Sequence, residues 1–326
     1  MSGTEARRRS AMGQLLPRHI VQRRQYGERR YARHLSQPEL NRRIRDVFLN
    51  LMDLTPDGKI SVGPIDAEFE IWSEKWVHVL EEMQLRHGPF PAGFTRDIWS
   101  VAIPNFASEL GRKAAAAMAP LGLKRDEVFI KFGNRQYMTA LYESGSLRIQ
   151  PASYFANRNH NAAVRDDELT RMMSMALSGD DVRKLVINPQ DLPQDVPEQR
   201  VDIEFRFATD YYLYCLTTSV KPRLFADFQA EACVIIKDRA AFTRMLRTKA
   251  VAEHLPQESM AAGPAQYIDP LLPQSANLLV PLCKHFSYTY QREHRFCWLP
   301  AMATTRLEHI DVEVGSLKEI AELIVL

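Results

Sequence analysis

The sequence predicts an α+β fold, a helical N-terminal region over residues 1–125 followed by a mixed, mainly antiparallel sheet domain over residues 126–326. Three observations lead there. Apolar residues recur at helical spacing in the first third and hardly alternate. After about residue 125, short β-branched and aromatic runs bounded by turn residues take over. Few of those runs are separated by helices in a βαβ rhythm, which argues against a doubly wound parallel sheet.

In chain order, "TPDGK" reads as a turn, with Pro56 presetting φ and Gly58 supplying freedom. "AEFEIWSEKWVHVLEEMQL" follows, with Phe69, Trp72, Trp76, Val79, Leu80 and Met83 three and four apart, the stripe of a packing helix. Trp72 and Trp76 are therefore expected in a core, not stacked on a ligand. "GRKAAAAMAPLG" is a helix with a small-residue patch that Pro120 and Gly122 end.

In the second region "EVFIKFG" reads as a buried strand, "RQYMTALYESG" as a short helix closed by Gly145, and "SLRI" as the next strand. "VDIEFRF" alternates, with Val201, Ile203, Phe205 and Phe207 on one face. "YYLYCLTTS", "EACVIIKD", "AQYID" and "IDVEV" add strands, "DRAAFTRMLRTKAVAEHL" a helix, and "PQDLPQDVPEQ" a surface connection. "SYTYQREHRFCWLP" reads as one further strand. It would carry Tyr288, Tyr290, Arg292, His294, Phe296 and Trp298 on one face and Ser287, Thr289, Gln291, Glu293 and Arg295 on the other.

With 326 residues, 45% hydrophobic and 25% charged, the chain has the composition of an ordinary globular protein with a sizeable core. Its longest apolar runs, such as "ANLLVPLC", fall well short of the roughly 18 residues a membrane span needs, so no membrane role is expected. The N-terminus lacks the apolar stretch of a secretory signal, and four widely spaced cysteines (Cys215, Cys233, Cys283 and Cys297) read as reduced thiols; a cytoplasmic location is expected.

Residues 1 to 45 hold twelve arginines, among them Arg7, Arg8 and Arg9, against Glu5, Glu28 and Glu39, although the whole chain carries only +2. Such an arm fits phosphate, and hence nucleic acid, because each guanidinium can neutralise a phosphate and release counterions. A solvated helical face or a basic leader accounts for the same run.

No phosphate-cradling G-x-x-x-x-G-K-[ST], dinucleotide G-x-G-x-x-G, zinc-protease H-E-x-x-H or hydrolase G-x-S-x-G occurs. The order of features from residue 126 onward instead resembles the ADP-ribosyltransferase fold: the strand, helix and glycine of "FIKFGNRQYMTALYESGSLRI", then Tyr154 in "PASYF", then Gln291 and Glu293 in "YQREHRF". The same order resembles an uncharacterised bacterial family associated with defence and mobile-element loci. The resemblance implies NAD as substrate, Glu293 as catalytic carboxylate with Gln291 orienting the acceptor, Lys131, Asn134 or Arg135 at the ribose or diphosphate, and Tyr154 stacked on nicotinamide. Lys131 or Arg135 stands where that family usually has His or Arg. Arg158 and His160 are expected to bind substrate. The acceptor would be a macromolecule, with nucleic acid suggested by the arm, and a toxin or phage-defence setting with an inhibitory partner protein goes with the family. The chemistry suits the residues, since breaking the nicotinamide–ribose bond builds positive charge on the sugar that a carboxylate can stabilise.

Other readings stand beside it. Glu293 can be an ordinary ion-pair partner of Arg295. Asp166, Asp167 and Glu168 in "RDDE" can hold Mg²⁺ in a nuclease, or can begin a helix whose dipole favours acids. Cys283, His285, His294 and Cys297 have zinc-ligand chemistry, but strand parity sets His294 opposite Cys297, and no metal is expected. A non-catalytic nucleic-acid-binding or assembly protein is the third class.

Overall fold

The computed structural model describes residues 16–55, 57–62, 67–89, 108–185, 188–253, 255, 259–272 and 279–326; Glu5, Arg7, Arg8, Arg9 and Pro56 lie outside the described residues. The fold is α+β, with a helical N-terminal region and mainly antiparallel sheets. Helices α1 (Arg18–Arg29), α2 (Gln37–Leu51) and α3 (Ala67–His87) come first. A capping box in which Ser36 and Glu39 bond reciprocally starts α2. Between α2 and α3, β1 (Met52–Leu54) and β2 (Ile60–Val62) form a hairpin whose turn holds Gly58 at φ 75°. Tyr26, Leu40, Ile44, Val47, Trp72 and Val79 form the core of this region, with Trp76 packed against it, so both tryptophans serve packing.

Helix α4 (Glu109–Met118) ends in a 3-10 turn and Gly122 at φ 58°. Then come β3 (Phe129–Gly133), α5 (Arg135–Ser144), β4 (Ser146–Pro151), β5 (Thr170–Leu177), α6 (Gly179–Leu185), β6 (Gln199–Arg206), β7 (Tyr212–Thr217), α7 (Arg223–Phe228), β8 (Ala232–Ile236) and α8 (Arg239–Glu253). The chain finishes with β9 (Met260–Pro264), β10 (Gln266–Ile268), β11 (Cys283–His285), β12 (Glu293–Trp298), β13 (Ile310–Glu313) and β14 (Ala321–Val325).

The main sheet is organised around β7. Along its whole length β7 pairs with β12, which pairs in turn with β9. On its other side the sheet divides. Tyr212 and Leu213 pair with β4, which continues to β13, whereas Thr217 meets Ile130 of β3, which continues to β8 and β14. All these pairings are antiparallel. Strand β8 is buried at all five positions because it is covered on both faces. Ala232, Val234 and Ile236 face Phe242 and Leu246 of α8, while Cys233 and Ile235 face α4 and Phe225 of α7. Thus α4, although it belongs to the helical stretch in sequence, completes the core of the sheet.

Two expectations change. "DDELTRMMSMAL" does not begin a helix: Thr170–Leu177 is β5, paired along its length with β6. Pairing with β6 satisfies the backbone of this Met-rich run across a ladder instead of within a helix. The alternating "VDIEFRF" forms β6, but among the described residues the β5–β6 ribbon pairs with no third strand, and Ile203 and Phe205 on its apolar face are 36% and 40% exposed.

The helical region is bound to the sheet region by buried polar contacts. Arg43 donates to both oxygens of Asp269 at 2.9 and 2.8 Å, and Lys75 reaches the same carboxylate at 2.5 Å. Asn50 donates to the Ser287 carbonyl at 2.9 Å and accepts from the Tyr290 N–H at 2.8 Å. Trp72 lies flat on Phe286, ring centroids 6.0 Å apart. Of the arm's arginines, Arg18, Arg23, Arg30, Arg33 and Arg43 pair with Glu70, Glu81, Glu82, Glu198 and Asp269, so much of that charge is neutralised within the chain.

Candidate active site

The segment read as one strand is two elements. Phe286–Gln291 is a 3-10 turn, Arg292 takes a left-handed conformation at φ 46°, and β12 begins only at Glu293. The turn is held by its own bonds, since the Thr289 hydroxyl donates to the Phe286 carbonyl and the Arg292 N–H to the Thr289 carbonyl. Gln291 and Glu293 therefore do not share a strand face. They meet through Lys284 of β11, whose ammonium donates to Gln291 Oε1 at 3.0 Å and to Glu293 Oε1 at 2.5 Å.

From Glu293 onward the alternation holds. Phe296 and Trp298 enter the core between the sheet and α8, and Glu293 and Arg295 occupy the opposite face. That face is neither solvent nor an open groove, because Glu293 is 8% exposed and Arg295 fully buried. Charges so placed must be paired. Arg295 Nε donates to Glu293 Oε2 at 3.0 Å, and its terminal nitrogens grip both oxygens of Glu168 at 2.8 Å each. Arg171 closes the chain with a 2.8 Å bond to Glu168. The ion pair between Glu293 and Arg295, read from sequence as the alternative to a functional role, is thus present, within a network running from Arg171 through Glu168, Arg295 and Glu293 to Lys284.

Burial by itself would push the Glu293 carboxyl up, but Lys284 and Arg295 outweigh it and hold it at about 2. Glu293 is therefore ionised throughout the physiological range. Its N–H donates to the Tyr267 hydroxyl at 2.8 Å and its carbonyl accepts from the Ala265 N–H at 2.8 Å, which fixes the backbone from which the carboxylate projects.

Where β3 and β7 part beyond the Ile130–Thr217 pair, a cavity of about 150 Å³ opens, with Glu293, Lys284 and Glu168 in its wall beside Lys131, Thr217 and Phe155. Lys131 donates to the Cys215 carbonyl at 2.8 Å and lies 4.6 Å from the Tyr214 ring centre. Burial pushes its ammonium down, with Glu293 opposing.

Of the sequence candidates, the structure gathers Glu293, Gln291 and Lys131. Gln291 is fully buried; its amide nitrogen donates to the Ala163 carbonyl at 2.8 Å and its oxygen accepts from Lys284, so it holds the site together and does not face an acceptor. Tyr154 is 40% exposed in a 3-10 turn after β4, against His160 at 4.5 Å between ring centres, and its neighbour Phe155 lines the cavity instead. Asn134 and Arg135 are exposed at the start of α5, the Arg135 N–H donating to Glu231 at 3.0 Å. Arg158 is exposed, and His160 turns back to the Tyr154 carbonyl at 3.1 Å. None of these five lines the cavity.

The other constellations separate too. Glu168 is held by Arg295 and Arg171, Asp166 lies 3.9 Å from Arg171, and Asp167 caps the Leu169 N–H. Cys283 and Cys297 donate to the carbonyls of Leu279 and Pro281, and His294 packs on Phe129. Among the described residues no group of three His, Cys, Asp or Glu side chains could hold a metal ion. Lys284 is the residue that sequence reasoning missed. Nothing local marks it, because its role depends on β11 lying beside the start of β12. No protein-family model, no curated protein and no solved structure matches the chain.

Proposed function

We propose that the chain is an NAD-dependent ADP-ribosyltransferase acting on a macromolecule, with Glu293 as its catalytic carboxylate. The observation that carries this reading is an ionised Glu293 in the wall of a cavity where the sheet divides. The nicotinamide–ribose bond breaks with its electron pair leaving on nicotinamide, and the sugar gains positive charge that Glu293 stabilises at short range. Because Lys284 and Arg295 already bond Glu293, its carboxylate is positioned before substrate arrives, at the cost of part of its negative potential. Lys131, whose ammonium keeps donors beyond the one given to the Cys215 carbonyl, can bond sugar hydroxyls or phosphate. The cavity has room for one ring of a dinucleotide and not for the whole molecule. Nucleic acid is the first acceptor to test, since Arg24, Arg29 and Arg42 of the arm make no ion pair among the described residues. A toxin or defence role in the cytoplasm with an inhibitory partner belongs to the same proposal.

The experiment is incubation of the protein with labelled NAD and whole-cell extract, reading label on protein and on nucleic acid, with Glu293→Gln in parallel. Transfer should fall by about 10²–10³ in the variant. Full transfer by Glu293→Gln removes the mechanism, and intact NAD across all fractions removes the reading.

A further inference from the structure

A second cavity, of about 520 Å³, opens between α2 and the sheet region. The loop 162–168 serves both cavities: Val164 and Glu168 line the first, Ala162, Arg165, Asp166 and Asp167 the second, and Ala163 both. The volume suits a small ligand, and the composition of the wall says what kind.

Arg42 from α2 and Arg165 from the loop both line this cavity, and neither guanidinium forms an ion pair or hydrogen bond among the described residues. The acids nearby do not neutralise them. Asp227 is bound by Arg223 at 2.8 Å, Asp166 lies 3.9 Å from Arg171, and Asp46 3.6 Å from Arg45. Asp167 caps its own loop at the Leu169 N–H. Beside the arginines stand Leu49, Met172, Ile268 and Pro270 with the rings of Tyr288 and Tyr290, a wall for an organic body.

We propose that this cavity binds a small organic phosphate, its phosphoryl group held between Arg42 and Arg165. Two guanidinium forks reaching from different elements match a group with three terminal oxygens, whereas a carboxylate is satisfied by one fork. The ligand would tie α2 to the loop. That loop is already tethered to the 3-10 turn, since the Tyr288 hydroxyl donates to the Arg165 carbonyl at 2.6 Å and Gln291 to the Ala163 carbonyl at 2.8 Å. The assignment goes beyond the transferase reading and does not depend on it.

The test is calorimetric titration of the full chain with adenosine 5′-monophosphate, inorganic pyrophosphate and, as the uncharged control, adenosine. Wild type, Arg42→Ala/Arg165→Ala and Lys131→Met are compared, with thermal unfolding confirming that each is folded. Expected are saturable binding of the monophosphate, at least tenfold weaker binding of adenosine, and at least tenfold loss in the double variant. Absence of saturable binding by both phosphate probes overturns the proposal, as does equal binding by the double variant. Loss in Lys131→Met with the double variant unaffected would place the phosphate in the first cavity and also overturn it. Since NAD turnover is not read, this result stands apart from the transferase test.

Discussion

Lys284 Nζ lies 2.5 Å from Glu293 Oε1, both side chains almost fully buried, and this contact ties β11 to the start of β12. Its removal should be costly. Lys284→Met leaves an ionised carboxylate with Arg295 as its remaining cation, and breaking a buried pair from one side typically costs about 3–5 kcal/mol. Urea unfolding of the variant should show that loss. An unchanged midpoint would mean that the pair contributes no net stability.

Acid should act on the protein in two opposite steps. Asp46 and Asp166 sit at about 6 when folded, above the ordinary 3.8, so their contribution is fully present below about 3.8 and is lost as pH rises through 6. Glu293 sits at about 2, below the ordinary 4.5, so its contribution is present above about 4.5 and is lost as pH falls toward 2. His285 and His294, which burial holds down to about 4, lose stability as pH falls from 6.5 toward 4 and oppose the aspartates over the same range, so the aspartate contribution is read from the difference between wild type and Asp46→Asn. Asp46→Asn should flatten the first slope by about 3 kcal/mol at most and leave the second. A difference between wild type and Asp46→Asn that stays constant from pH 7 to 5 would contradict the burial of Asp46.

Arg43 and Asp269 join the two regions through two parallel bonds. Arg43→Met should destabilise by about 3–5 kcal/mol, and Arg43→Lys should recover only part of this because a lysine cannot make the bidentate contact. Limited proteolysis offers a second readout: α1 to α3 should be cleaved earlier in Arg43→Met than in wild type.

Gly145 ends α5 at φ 73°, and a Cβ there would collide with the Gly315 carbonyl. Gly145→Ala should cost at least about 2 kcal/mol, from left-handed strain plus the clash. Thermal unfolding measures it, and a shift of under a degree would show that the turn before β13's partner strand β4 adapts freely.

Strands such as β8 and helices such as α3 and α8 were legible because hydrophobic periodicity is a local property, and Gly145 was legible as a helix end because only glycine takes that backbone cheaply. The 3-10 turn before Glu293 was not. Its aromatic residues alternate as in a strand, and what bends the chain is hydrogen bonding within the turn together with Asn50 of α2, more than two hundred residues away. The "RDDE" acids offered no local sign of whether they precede a helix or a strand, since β5 owes its conformation to its partner β6.

The sequence by itself determined the α+β class, the order of most elements and the core tryptophans, because composition and periodicity act over a few residues. The tertiary structure decided the company Glu293 keeps. Lys284 and Arg295 reach it from β11 and from its own strand, Glu168 holds Arg295 from the loop before β5, and only the register of β12 on β7 and the division of the sheet set those charges within hydrogen-bond reach. Side-chain charge is written in the sequence, but the burial that makes each charge demand a partner exists only after long-range packing has excluded water.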